Sequence, residues 1–150
     1  MRIALDTNAY SALMRGHQEV AALIRRSEAV LVPAVVVGEL LYGFRLGSRF
    51  QENSARLEAF LAAPSVDLLP VTLTTADRFG RTAAALRQKG TPIPTNDIWI
   101  AAQVMEVGAD LLSSDSHFVA VDGLAWLPFS PAEEDSVREQ IWRYHADPGC

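Results

Sequence analysis

The sequence predicts an α/β fold, a three-layer α/β/α sandwich built on a mostly parallel five-stranded sheet. Three observations point there. Five short, apolar, β-prone runs are spread along the chain, amphipathic helical stretches alternate with them, and 150 residues suffice for one domain with a sizeable core. At 49% hydrophobic and 21% charged residues, the composition is that of a globular protein rather than a disordered one.

Arg2 to Leu5 reads as a buried strand ending at Asp6, followed by a helix from about Ala9. Ligands of open α/β sheets sit beyond the carboxyl ends of the strands, so a functional carboxylate belongs at Asp6. An aspartate there serves equally well as a helix cap. Residues 17–27 form a second helix with Val20, Leu23 and Ile24 inward, and Ala29 to Val32 a second strand. After Pro33 comes AVVVGELLYGF, in which Val36, Leu40 and Phe44 recur at helical spacing and face the sheet. Glu39 is the single acid of that apolar helix. An isolated buried charge costs several kcal/mol, so Glu39 needs solvent, a partner or a cation.

Arg49 to Ala62 is an amphipathic helix. Phe44, Leu46, Phe50 and Leu57 exceed what one helix face needs for its own core, which suggests an apolar groove across residues 34–62. Val66 to Val71 is the third strand, and Thr74 to Lys89 a long helix. That helix carries Phe79, Ala83 and Leu86 inside and Arg78, Arg81, Arg87 and Lys89 outside, and it ends at Gly90-Thr91-Pro92.

Asp97 to about Val107 forms the next helix, with Thr95 or Asn96 as its cap and Gly108 as its stop. Asp110 to Ser114 reads as a short buried strand. A helix of about 11 residues runs roughly 16 Å, and a strand of about five returns a similar distance. Asp115 therefore comes back to the edge where Asp97 began. Residues 124–127 supply the last strand. Ser130-Pro131-Ala132-Glu133 has the form of a capping box, and Val137, Ile141 and Tyr144 make one stripe of an added helix over 130–146. The chain thus divides into a domain at 1–129 and a helical extension at 130–150.

Arg2 and Asp6 interrupt any apolar leader, and the longest apolar run, Ala29 to Val37, contains Pro33 and is too short for a bilayer. A cytoplasmic protein without membrane contact is expected. The single cysteine, Cys150, excludes an intramolecular disulfide and a thiolate metal cluster. The net charge of −5 is unevenly spread, with +3 over residues 1–90 and −8 over 91–150. Such asymmetry suits a phosphate-binding surface beside a metal site.

Asp6, Glu39, Asp97 and Asp115 fall at comparable ends of successive α/β units. Carboxylates brought together repel unless a cation joins them, and hard oxygen ligands select Mg²⁺ or Mn²⁺. His17, His117 and His145 are scattered, and of these only His117 lies near the acids in sequence.

Taken together, Asp6-Thr7-Asn8 after the first strand, Glu39-Leu40 with Gly43, Asp97 with Ile100-Ala101-Ala102, and Leu112-Ser113-Ser114-Asp115 before His117-Phe118 resemble the PIN-domain ribonucleases. Within these the chain is similar to the VapC-type toxins of bacterial toxin–antitoxin pairs. Ser113 stands where the family most often has threonine, and the tail 130–150 exceeds the usual toxin length. The resemblance covers roughly residues 1–129. It implies a parallel sheet with the acids at one edge and a Mg²⁺-dependent endoribonuclease, Mn²⁺ being a substitute. Asp6, Glu39, Asp97 and Asp115 would be the catalytic metal ligands, with Thr7, Asn8 and Ser113 in support. It also implies a homodimer bound by a small antitoxin.

A haloacid dehalogenase-type hydrolase needs an acid two positions after the first Asp, where this chain has Asn8. A PIN nuclease acting in RNA processing and a catalytically silent partner-binding PIN module also compete with the toxin reading. Retention of all four acids disfavours the silent module. Four carboxylates cannot attract RNA unaided. Eleven of the 13 basic residues precede position 91, so Arg15, Arg25, Arg26, Arg45, Arg49, Arg78 and Arg81 are candidates for phosphate contacts.

Overall fold

The computed structural model describes residues 1–131; the helix expected in the extension lies outside the described residues. In chain order the elements are β1 (Arg2–Leu5), α1 (Thr7–Met14), α2 (Gln18–Arg26), β2 (Ala29–Pro33), α3 (Ala34–Leu46) and α4 (Phe50–Leu61). Then follow β3 (Val66–Leu69), α5 (Leu73–Lys89), α6 (Thr95–Val107), β4 (Asp110–Leu112), a 3₁₀ turn (Ser116–Ala120) and β5 (Ala125–Leu127). The strands lie in the order β3-β2-β1-β4-β5, and every neighbouring pair is parallel.

That order determines the layers. The chain steps from β1 through β2 to β3 in one direction, then returns past β1 to β4. Right-handed crossovers made in opposite directions put α1–α4 on one face and α5 and α6 on the other. Covered on both faces, the central strands are continuously apolar: Ile3, Ala4, Leu5, Leu111 and Leu112 have no exposed surface. The point where the strand order reverses lies between β1 and β4, at the carboxyl ends that carry Asp6 and lead to Asp115. Crevices of this kind are where ligands bind in open parallel sheets.

Local departures from the expected elements have simple causes. β3 stops at Leu69 because Pro70 has no N–H for the ladder. α6 begins at Thr95 with Pro94 as its N-cap, so neither Thr95 nor Asn96 caps it. Of the four residues assigned to a surface groove, Leu57 belongs to the core, only 2% exposed, whereas Leu46 is 49% exposed. The backbone of α6 is fixed by buried Gln103, whose Nε2 donates to Leu69 O at 2.7 Å and whose Oε1 accepts from Val35 N at 3.4 Å. Trp99 of the same helix stacks on Phe79 of α5 with centroids 4.0 Å apart. These contacts anchor α6, whose first turn carries Asp97.

Candidate active site

Asp6 follows β1 and caps α1, its Oδ1 accepting from Thr7 N at 2.8 Å. The capping role and a chemical role are compatible, because a carboxylate has lone pairs for both. Its Oδ2 accepts from Ser113 Oγ at 2.6 Å and from Asn8 Nδ2 at 3.1 Å. Asn8 also donates to Ser113 Oγ at 3.2 Å, and its Oδ1 accepts from Ser114 N at 3.0 Å. Ser113 Oγ accepts in turn from Asp115 N at 3.0 Å. Thr7, Asn8 and Ser113 thus join the end of β1 to the turn after β4.

The remaining acids close around this network. Glu39 projects from α3 and accepts from Thr7 Oγ1 at 2.8 Å. Asp97, in the first turn of α6, lies within electrostatic range of Asp6, Glu39 and Asp115. Asp115 caps the 3₁₀ turn by accepting from His117 N at 2.9 Å, and buried Phe118 pins that turn to the core. All four acids predicted from the sequence are therefore brought to one place.

Electrostatics within the cluster follow from burial. Loss of hydration pushes the Asp6 carboxyl up to about 7 from 3.8, aided by the charges of Glu39 and Asp97 and opposed by the Ser113 and Thr7 hydrogen bonds. Asp97 is also raised, chiefly by burial and then by the charge of Asp115, with the His117 hydrogen bond opposing. A site that disfavours its own negative charges is one that a divalent cation would relieve. The donor set fits Mg²⁺ or Mn²⁺: several carboxylate oxygens, partly accessible, without thiolates.

His117 has a place in the site that its residue type does not disclose. Its Nδ1 lies 3.1 Å from Asp97 Oδ2 and 3.0 Å from Asp115 Oδ1. Ligand atoms of Asp97, Asp115 and His117 all lie within 4.8 Å of one another. The signal for it is the 3₁₀ turn, which brings a residue two positions after a capping Asp back over it.

The arginines are placed unequally. Arg25 and Arg26 end α2 at the amino ends of β1 and β2, where Glu28 N donates to Met1 O, at the opposite edge from the acids. Arg78 and Arg81 line a depression of about 210 Å³ with Leu86, Met105 and Asp122, which includes none of the four acids. Arg81 also pairs with Asp77 at 3.0 Å. Arg45 lies over the Phe50 ring at 4.2 Å, and Arg49 is the exposed residue preceding α4. Arg15 lines a second depression with Tyr10, Met14, Phe44, Asn53 and Arg56.

Comparison with known proteins places this arrangement in context. The PIN domain family profile matches residues 3–124. Ribonuclease VapC5 of Mycobacterium tuberculosis is 29% identical over 121 residues, covering 81% of this chain and 88% of the relative. Ribonuclease VapC1 of Haemophilus influenzae is 27% identical over 127 residues, covering 81% and 93%. Among solved structures, VapBC2 from Rickettsia felis bound to a DNA fragment from their promoter superposes with a TM-score of 0.77 at 20% identity, covering 87% of this chain and all of that one.

Proposed function

This chain belongs to the PIN-domain family, and from that premise we propose that it is an endoribonuclease, the toxin of a type II toxin–antitoxin pair. The observation that carries the reading is the convergence of Asp6, Glu39, Asp97 and Asp115 at the switch point of a PIN fold. The reaction is hydrolysis of an RNA phosphodiester bond. Asp6, Asp97 and Asp115 would hold Mg²⁺, with Glu39 as a direct or water-mediated ligand. When bound, the ion supplies Lewis-acid stabilisation of phosphate oxygens and a water of lowered pKa.

The chain's own residues do the positioning. Thr7 orients Glu39 through its hydroxyl, and Ser113 and Asn8 fix the Asp6 carboxylate by donating to the same oxygen. Asp115 is aimed by the N-cap geometry of its turn. Burial of Asp6 and Asp97 excludes water from one side of the site, where electrostatic interactions are strengthened.

The test combines metal removal with salt dependence. Chelated protein should leave RNA intact, and Mg²⁺ should restore cleavage; cleavage that persists in chelator would end the reading. Phosphate contacts are proposed for a subset of Arg15, Arg45, Arg49, Arg78 and Arg81, with Arg25 and Arg26 as internal controls. In RNA binding, alanine at a true contact should flatten the log–log salt slope by about 0.7. The controls should leave it unchanged.

The antitoxin is proposed to lay an amphipathic segment across α3 and α4. Tyr42 is 60% exposed and Leu46 49% exposed there, one turn apart on the same face of α3. Leu46→Arg should weaken cognate antitoxin roughly tenfold or more, about 1.4 kcal/mol, without affecting RNA cleavage. Unchanged affinity would move the partner to another face. A homodimer belongs to the same proposal, and the mass of the complex in solution checks it.

Among the described residues no helix is long and apolar enough to cross a membrane.

A further inference from the structure

We propose that His117 is a nitrogen ligand of the active-site ion, so that the site favours Mn²⁺ and similar first-row ions over Mg²⁺. This rests on the metal-site reading given above and adds to it a ligand that the four carboxylates do not supply.

The geometry is the first argument. Adjacent ligands of an octahedral ion held at about 2.1 Å are about 3.0 Å apart. His117 Nδ1 stands 3.0 Å from Asp115 Oδ1 and 3.1 Å from Asp97 Oδ2, so the nitrogen already has the spacing of an adjacent ligand to each carboxylate, and the ligand atoms of the three residues lie within 4.8 Å of one another. Without metal, the same spacing is that of an Nδ1–H donating to the carboxylates. An ion replaces that proton and keeps all three atoms.

Placement is the second argument. His117 is not adaptable surface decoration, because its backbone N–H is held by Asp115 Oδ1 and its neighbour Phe118 is 1% exposed in the core. The ring is held over the carboxylates on a short, anchored turn. Its side chain is 51% exposed, against 12% for Asp97, so the histidine lies on the solvent side. That side is the one open to water and to a substrate phosphate.

Ligand chemistry supplies the consequence. Mg²⁺ takes oxygen ligands almost exclusively and keeps several waters. Imidazole instead adds affinity for transition ions, which rises along the first-row series. Carboxylates joined by an imidazole should therefore bind Mn²⁺ more tightly relative to Mg²⁺ than the carboxylates alone would.

The experiment uses the full chain loaded with Mn²⁺ and read by pulsed electron paramagnetic resonance. Wild type should show ¹⁴N coupling to the ion, replaced by the ¹⁵N pattern when histidine is isotopically labelled. His117→Ala should abolish the coupling and lower Mn²⁺ affinity roughly 10- to 100-fold, with a much smaller change for Mg²⁺. The labelling readout needs no variant, so a folding defect in His117→Ala leaves the test intact. Saturable Mn²⁺ binding that Asp97→Asn removes, but without histidine nitrogen coupling, would overturn the nitrogen ligand and leave the carboxylate site standing. Absence of saturable Mn²⁺ and Mg²⁺ binding would overturn both.

Discussion

Asp97→Asn should lower RNA cleavage by at least roughly 10³-fold, about 4 kcal/mol of transition-state stabilisation, in a protein that still folds. The substitution keeps the shape of the side chain and removes one of the negative charges that make the cluster a cation site. Asp97 is buried, yet near enough to Asp6, Glu39 and Asp115 for their charges to act on one another. Its Oδ2 is also the atom that His117 Nδ1 contacts. Single-turnover cleavage of a labelled RNA, with circular dichroism as the check on folding, measures the effect. Cleavage within tenfold of wild type would remove Asp97 from the catalytic machinery.

Asp6→Asn should be as damaging, but for an additional reason. Oδ2 of Asp6 accepts from both Ser113 Oγ and Asn8 Nδ2, so an amide nitrogen there would meet two donors. Asn8 and Ser113 would have to turn away, and the link between the ends of β1 and β4 would loosen. Asp97 meets one such donor, His117 Nδ1 at Oδ2, and an asparagine there can turn its amide oxygen towards the half-exposed ring. The two variants share a chemical defect and differ in their structural one.

These differences show what can be read from the chain alone. Strand and helix order follows from periodicity and from Pro33, Gly90 and Gly108, because apolar spacing and backbone punctuation are local properties. The meeting of Asp97 with Asp115 is also legible, since a helix and a returning strand of matched length bring the chain back to the edge it left. Side-chain partners are not. The engagement of Glu39 by Thr7 spans 32 positions, and that of Asp6 by Ser113 spans 107. Such pairs depend on the order of strands in the sheet, which no local pattern encodes. Leu57 departs from its expected surface position for a related reason: an apolar surplus on one helix cannot be told from a core position until the packing of α3 against α4 is known. Arg25 and Arg26 share the basic half of the sequence with Arg45 and Arg49, but α2 ends at the amino-terminal edge of the sheet, opposite the acids. His117 is near the acids in sequence, but its contacts with Asp97 and Asp115 depend on the 3₁₀ turn that folds it onto them.

Metal-free protein should lose stability as pH rises from about 4 to about 7, and a divalent ion should restore it. The sign follows from Asp6. Its carboxyl titrates near 7 in the folded chain, against 3.8 ordinarily, so between those values the folded state holds a proton that the unfolded state has released. Stability therefore falls with rising pH across that window and levels off above it. At about 1.4 kcal/mol per pH unit, Asp6 alone accounts for about 4 kcal/mol, and the raised Asp97 acts in the same direction. Chemical denaturation of chelated protein across this range measures the slope. Asp97→Asn should be more stable than wild type above pH 7 without metal, and the advantage should shrink towards pH 4. Asp6→Asn should gain less than the titration of Asp6 implies, because its amide faces the Ser113 and Asn8 donors. Added Mn²⁺ or Mg²⁺ should raise wild-type stability by RT ln(1 + [L]/Kd), about 2.7 kcal/mol at a hundredfold excess over Kd, and should do much less for Asp97→Asn. A flat profile in chelator, with no gain in Asp97→Asn, would mean that the acids already hold their charges comfortably. The electrostatic pressure that recruits the ion would then be absent.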